Sequence, residues 1–173
     1  SLHDMIPELG IIEGYFGDPW PHAERKHAVA ELKRLGHSFF HYAPKADAFL
    51  RRRWREPHPP AAFAELADLS AHCRSLGMRF GIGLSPYELY REDTGAAKAD
   101  FVAKMAARLK PGGMLATTYQ PRHEKATRAD GLKMMERLSA VLLSEGFSAV
   151  RSEELLLRPV PALCLLARKA GGI

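Results

Sequence analysis

Gly10-Ile11-Ile12-Glu13-Gly14-Tyr15-Phe16-Gly17-Asp18-Pro19-Trp20 is the stretch from which the rest of the chain can be read. Residues 9–13 form a short apolar run that stops at a glycine-rich loop, which predicts a buried strand. Pro19 and Pro21 then introduce a stretch in which Val29, Leu32 and Leu35 recur at helical spacing, and Gly36 stands where a helix C-terminus wants a left-handed residue. Strand, loop and amphipathic helix in that order make one βα unit.

The unit repeats downstream. Residues 37–42 read as a second strand, and Pro57, Pro59 and Pro60 mark a loop. Phe63, Leu66, Ser70, Cys73 and Leu76 then predict one helical face ending at Gly77, and residues 78–84 a third strand. Residues 87–97 mix aromatic and charged side chains, ahead of a helical pattern at Phe101, Met105 and Leu109. Pro111-Gly112-Gly113 turns into a fourth strand at 114–119, and a long helix ending near Gly146 carries Leu132, Met135, Leu138 and Leu142 as its buried stripe. Residues 147–156 and 161–168 read as two last strands whose Arg158-Pro159 connection is too short for a helical crossover, so they pair antiparallel. The expected architecture is α/β: a single three-layer domain with a mostly parallel sheet of about six strands and an antiparallel end. Its two segments, 1–97 and 98–173, are expected to pack as one domain.

Composition bounds the function classes. A chain of 173 residues, 46% of them hydrophobic, holds a real core, whereas a complete eight-stranded βα barrel needs about 250 residues. Cys73 and Cys164 lie in apolar surroundings with no partner nearby and read as reduced core thiols. No leader or membrane-spanning run is apparent, so a cytoplasmic protein without membrane contact is expected. The net charge of +5 comes from 25 basic and 20 acidic residues, a mixed surface. Arg51-Arg52-Arg53-Trp54-Arg55 interleaves cations with an aromatic. A solvated βα loop with Trp54 tucked against the core is the preferred reading over nucleic-acid binding. None of the eight histidines has a metal-binding spacing such as H-x-x-x-H on a helix, and His41, between Phe40 and Tyr42, reads as a core histidine.

Glu13-Gly14-Tyr15-Phe16-Gly17 and Tyr42-Ala43-Pro44-Lys45-Ala46-Asp47 resemble the opening of the catalytic barrel of glycoside hydrolase family 84. These are β-N-acetylglucosaminidases that include protein O-GlcNAcases and bacterial hyaluronidase-like enzymes. The resemblance covers residues 8–97, including a Trp-Arg-Glu-Pro string at Trp54. It implies that Gly14 lets a sugar approach the backbone, that Lys45 donates to sugar hydroxyls, and that the partner is an N-acetylglucosamine-containing ligand. Phe16 stands where the family has tyrosine, and Ala46 where it has the first aspartate of the second string. Read without the resemblance, Gly14 and Gly17 shape a turn, Lys45 is an exposed lysine beside Asp47, and Glu13 bonds neighbouring backbone amides.

Family chemistry requires two adjacent carboxylates at the end of the fourth strand, one orienting the 2-acetamido group and one acting as general acid and base. Here that strand ends Thr117-Thr118-Tyr119-Gln120. Glu92-Asp93 and Glu153-Glu154 are adjacent acidic pairs in the wrong contexts, so no catalytic residue is assigned.

Leu109-Lys110-Pro111-Gly112-Gly113-Met114-Leu115, with the strand, long helix and closing hairpin that follow, resembles the end of a class I S-adenosylmethionine-dependent methyltransferase over residues 101–169. That superfamily holds its cofactor with a glycine-rich loop and an acidic residue from the first half of the fold. The spacing of Gly10, Gly14 and Gly17 does not fit such a loop, so no cofactor is assigned. Three readings follow. The first is a sugar-binding or catalytically impaired relative of the glycosidases. The second is a methyltransferase-like protein, and the third a chimeric or designed α/β scaffold without catalysis. Exposed strand edges would also invite self-association.

Overall fold

The apolar run ahead of Gly14 forms β1 (Gly10–Glu13), and α1 (His22–Arg34) starts directly after Pro21. Glu24 in the first turn of α1 and Lys33 and Arg34 in its last turn oppose the helix dipole. Gly36 follows the Leu35 C-cap of the helix, and its φ of 90° puts it in the left-handed region. β2 (Phe39–Tyr42), a 3₁₀ turn (Ala48–Leu50), α2 (Pro60–Ser75) and β3 (Arg79–Ile82) follow. The computed structural model describes residues 8–86, 89 and 95–171. The chain divides into two compact units, Ser1–Tyr87 and Glu88–Ile173.

In the first unit the three strands pair parallel in the order β1-β2-β3, with Glu13 level with Tyr42 and Tyr42 level with Ile82. Val29 of α1 and Leu66, Leu69 and Cys73 of α2 close over Phe40 and Tyr42 to make the core, and Ile11 and Phe80 pack against it. Side chains alternate across a strand, so Ile12 faces the other way and is 62% exposed. On α2 the buried stripe runs through Leu69 rather than the expected Ser70, and Phe63 is exposed. Leu66, Leu69 and Cys73 keep the helical spacing while putting only apolar side chains inside.

The second unit holds α3 (Gly95–Arg108), β4 (Met114–Tyr119), α4 (Arg128–Ser144), β5 (Phe147–Leu155) and β6 (Ala162–Lys169). Thr127 and Asp130 cap α4 reciprocally, each side chain accepting from the other's backbone N–H. The buried face of α4 is Gly131, Met134, Met135, Leu138 and Leu142, with Leu132 turned outward. α4 packs on β5 and β6 and against α3. The last strand runs antiparallel between β4 and β5, as the short Arg158-Pro159 connection demands.

The continuous six-stranded sheet expected from sequence is not formed. The strands make two separate three-stranded sheets, one parallel and one antiparallel in the order β4-β6-β5. β6 takes the edge of β4 over its whole length, from Met114 opposite Arg168 to Tyr119 opposite Leu163. The βα alternation that marks each element carries no information about which edges pair, and the return of β6 decides it. Among the described residues no ladder joins β3 to β4, and the idea of one sheet spanning a join near residue 97 falls with it. Four α-helices are described, none long and apolar enough to cross a membrane.

Candidate functional site

A parallel sheet collects the loops that follow its strands at one end, where ligands are held in βα folds. The two motif loops of the first unit meet there. Pairing between β1 and β2 continues past the strands, with the Ala43 N–H donating to the Glu13 carbonyl at 3.1 Å and the Lys45 N–H to the Tyr15 carbonyl at 3.2 Å. Gly14 and Lys45, the two expected binding residues, are thus brought side by side on adjacent backbone segments.

Gly14 has no internal reason to be glycine. Its φ lies outside the left-handed region, and an added Cβ would make only an ordinary contact, 3.6 Å from Cγ2 of Ile12. Lys45 sits at the tip of a turn that the Asp47 N–H closes on the Pro44 carbonyl at 3.1 Å. Pro44 is fully buried and Lys45 half-buried.

Asp47 anchors that turn. Its Oδ2 accepts from the Tyr42 hydroxyl at 2.7 Å and lies 2.9 Å from Nε2 of His58, while its Oδ1 accepts from the Phe49 N–H at 2.9 Å. Burial alone would raise the Asp47 carboxyl, yet the bonds from His58 and Tyr42 outweigh it and hold the pKa below its ordinary value. Burial, reinforced by the bond to Asp47, pushes the Tyr42 phenol up. His58 enters from the Pro57-His58-Pro59 segment that precedes α2, with its ring 5.2 Å from that of Phe49.

Glu13 is buried at the end of β1 without the backbone-amide partners expected from sequence. Its carboxylate is instead gripped by Arg25 of α1, with Nε 2.6 Å from Oε2 and Nη2 2.8 Å from Oε1. Burial works against the Arg25 charge, but the bonds and charge of Glu13 prevail and raise its pKa. The same guanidinium lies 4.9 Å from the centre of the Tyr42 ring. Tyr15 donates to Glu13 at 3.5 Å and accepts from the Trp20 N–H at 3.1 Å. One polar network therefore runs from Trp20 through Tyr15, Glu13, Arg25, Tyr42 and Asp47 to His58, beneath both loops. Sequence reasoning missed Arg25, although it lies four residues before Val29 on the buried stripe of α1.

The remaining candidates fall outside this constellation. His41 is half-buried on the sheet face away from the core, its ring 4.9 Å from that of Phe39, and burial lowers its pKa. Trp54 is buried, as expected, and Arg55 lies 4.4 Å from its ring centre. Arg53 lies 4.7 Å from the Phe49 ring centre and pairs with Glu56, while Arg51 approaches the exposed ring of Phe16 at 6.0 Å. Glu92 and Asp93 lie outside the described residues. Glu154 is held by Arg128, with Nη2 at 2.6 Å, and Glu153 lies 3.6 Å from Arg151. The Gln120 side chain at the end of β4 donates to the Val160 carbonyl at 2.8 Å. β4 belongs to the antiparallel sheet, so the described part of the parallel sheet has no fourth strand to carry a carboxylate pair.

Two cavities described in the first unit are lined by other residues than Gly14 and Lys45. One of about 40 Å³ lies beneath the network beside His22, Arg25, Tyr42 and His58, too small for a sugar. A shallow depression of about 510 Å³ follows the exposed side of α1 from Trp20 to Ala28. Among the described residues no group of three or more His, Cys, Asp or Glu side chains is placed to hold a metal.

Residues 9–114 match the profile of a family described as beta-N-acetylglucosaminidase. The match runs past residue 97 and through the Pro111-Gly112-Gly113 turn. Over 77 residues, 44% of this chain, the sequence is 31% identical to the protein O-GlcNAcases of Rattus norvegicus and Mus musculus, and it spans 8% of their length. An O-GlcNAc hydrolase variant of Thermobaculum terrenum shares the fold over 79% of this chain with a TM-score of 0.60 at 22% identity, and the match covers 32% of that hydrolase chain.

Proposed function

The chain belongs to the beta-N-acetylglucosaminidase family, and we propose that its first unit carries the sugar-binding part of that family's site, with Gly14 and Lys45 as contacts. The ligand class is a glycan bearing N-acetylglucosamine. In this reading the Gly14 backbone lies against the sugar and the Lys45 ammonium donates to its hydroxyls.

The observation that carries the reading is the absence of any internal demand for glycine at position 14, beside a half-buried lysine whose backbone is bonded to the next loop. A glycine that neither the backbone angle nor the packing requires is accounted for by something that approaches from outside. Turnover is not part of the proposal. The substrate-assisted chemistry needs a carboxylate pair, and no residue described here is placed to supply one.

A second reading, a methyltransferase-like closing segment over residues 98–173, has only the order β4, α4, β5, β6 behind it, and the family match to residue 114 runs into that segment. S-adenosylmethionine does not fit the residues present. Gly14 and Gly17 open a loop leading to Pro19 rather than a phosphate- or cofactor-cradling helix start, and the acid that ends β1 is locked to Arg25.

Ligand-induced melting shifts test both readings, because a ligand that binds the native state raises its midpoint. A shift with an N-acetylglucosamine-derived transition-state analogue, lost in Lys45→Ala, supports the sugar site. A shift with S-adenosylhomocysteine alone would replace it with the second reading, and a shift with neither would leave a scaffold without ligand.

A further inference from the structure

The turn that presents Lys45 is fixed at both ends by groups that do not reach its tip. Pro44 is fully buried, and Asp47 gathers the Tyr42 hydroxyl, the His58 ring and the Phe49 N–H on one carboxylate. Between them lie Lys45, half-buried, and Ala46, exposed. Among the described residues the Lys45 ammonium makes no hydrogen bond or ion pair, and among them the turn itself sets where it points. Asp47 forms no ion pair with it; the carboxylate instead takes donors from β2, from the 3₁₀ turn and from His58 just ahead of α2.

We propose that Asp47, held by Tyr42 and His58, is the positioning residue that aims Lys45 at the sugar, so that the affinity of the site is set from the start of α2 through a side chain that touches no ligand. This rests on the sugar-site reading above. The physical basis is preorganisation: a lysine on a loose turn must lose that freedom on binding, whereas one on a locked turn has lost it during folding. His58 is well suited to the task, since it lies between two prolines and is itself buried, and so has little freedom of its own.

Two measurements on the full chain separate this inference from the reading beneath it. The first needs no ligand: trypsin cleavage of the Lys45-Ala46 bond, followed by mass spectrometry and normalised to cleavage after Lys125 in the other unit. Asp47→Asn and the milder Tyr42→Phe should each accelerate cleavage at Lys45 by about tenfold or more, with a single cooperative melt retained in Tyr42→Phe. An unchanged rate in both variants would overturn the inference. The second is a titration with N-acetylglucosamine. Asp47→Asn should weaken binding about tenfold in the parent protein and not at all in a Lys45→Ala background. Equal weakening in both backgrounds would overturn the positioning role while leaving the sugar site intact. Undiminished affinity in Lys45→Ala itself would remove Lys45 from the site, and the role proposed for Asp47 with it.

Discussion

Arg25 and Glu13 form a two-point ion pair with both side chains almost wholly buried, 6% and 1% exposed, at the point where α1 crosses the end of β1. The pair joins the loop after β1 to the helix that covers the sheet, and through the Tyr42 ring it reaches the loop after β2. A buried pair of this kind gains little over an apolar replacement of both members, but the loss of one member leaves an uncompensated charge in the core. Arg25→Met should therefore destabilise the protein by about 3–5 kcal/mol, while Arg25→Met combined with Glu13→Leu should recover most of that loss. Urea unfolding of the two variants decides the matter. A cost below about 1 kcal/mol for the single variant would mean that Glu13 finds water or another donor.

Asp47 links stability to acid pH. Its folded pKa lies below the ordinary value of 3.8, because the bonds from His58 and Tyr42 outweigh the opposing effect of burial. A depressed carboxylate contributes stability that is fully present above its unfolded pKa and disappears as pH falls through its folded pKa. The loss should thus begin near pH 4 and deepen below it. Stability measured by denaturant between pH 2.5 and 6 should fall more steeply in the parent than in Asp47→Asn, which has no proton to take up. Parallel curves for the two proteins would show that Asp47 is not held as described.

Much of the architecture was legible because each element announces itself locally. Pro21 and Gly36 bracket α1, Pro60 and Gly77 bracket α2, and the brevity of the Arg158-Pro159 connection dictates the antiparallel pairing of β5 with β6. The partition of six strands into two sheets was not legible, because strand pairing depends on which edge the last strand finds. The site divides the same way. Gly14 and Lys45 stand out within their motifs, whereas the groups that hold them in place do not. His58 is hidden between prolines in a segment that reads as loop, and only its burial reveals that it completes the Asp47 cluster. Arg25 left a signal, a cation on the same helical face as Val29, that periodicity counted over apolar residues alone passes by.

Gly14 can be tested against its neighbours without disturbing them. A methyl group at this position meets nothing closer than 3.6 Å, and the backbone angle is open to alanine. Gly14→Ala should accordingly leave stability unchanged or raise it by up to about 1 kcal/mol, through the reduced freedom of the unfolded chain. If a sugar lies against this backbone, the same methyl group should weaken N-acetylglucosamine binding at least tenfold. Retained affinity in a stable Gly14→Ala protein would show that no ligand comes close there, and that the glycine serves only the loop.

Cys73 reports on the packing of α2 against the parallel sheet. Its thiol is fully buried against the core, and burial pushes its pKa up to about 11, so at pH 8 it is both shielded and overwhelmingly protonated. Cys164, half-buried on β6, has its pKa raised in the same direction, chiefly by burial, but remains partly accessible. A thiol reagent in excess at pH 8 should therefore label Cys164 while Cys73 stays unmodified, and both should react in denaturant. Leu69→Ala, which opens a hole beside Cys73 on the same helical face, should cost about 2–5 kcal/mol. It should also speed Cys73 labelling in proportion, because the reagent reaches the thiol only through opening of the core. Rapid modification of Cys73 in the unmutated protein would mean that α2 does not seal the first unit, and would undercut the anchoring of the Lys45 turn, since His58 depends on the placement of that helix.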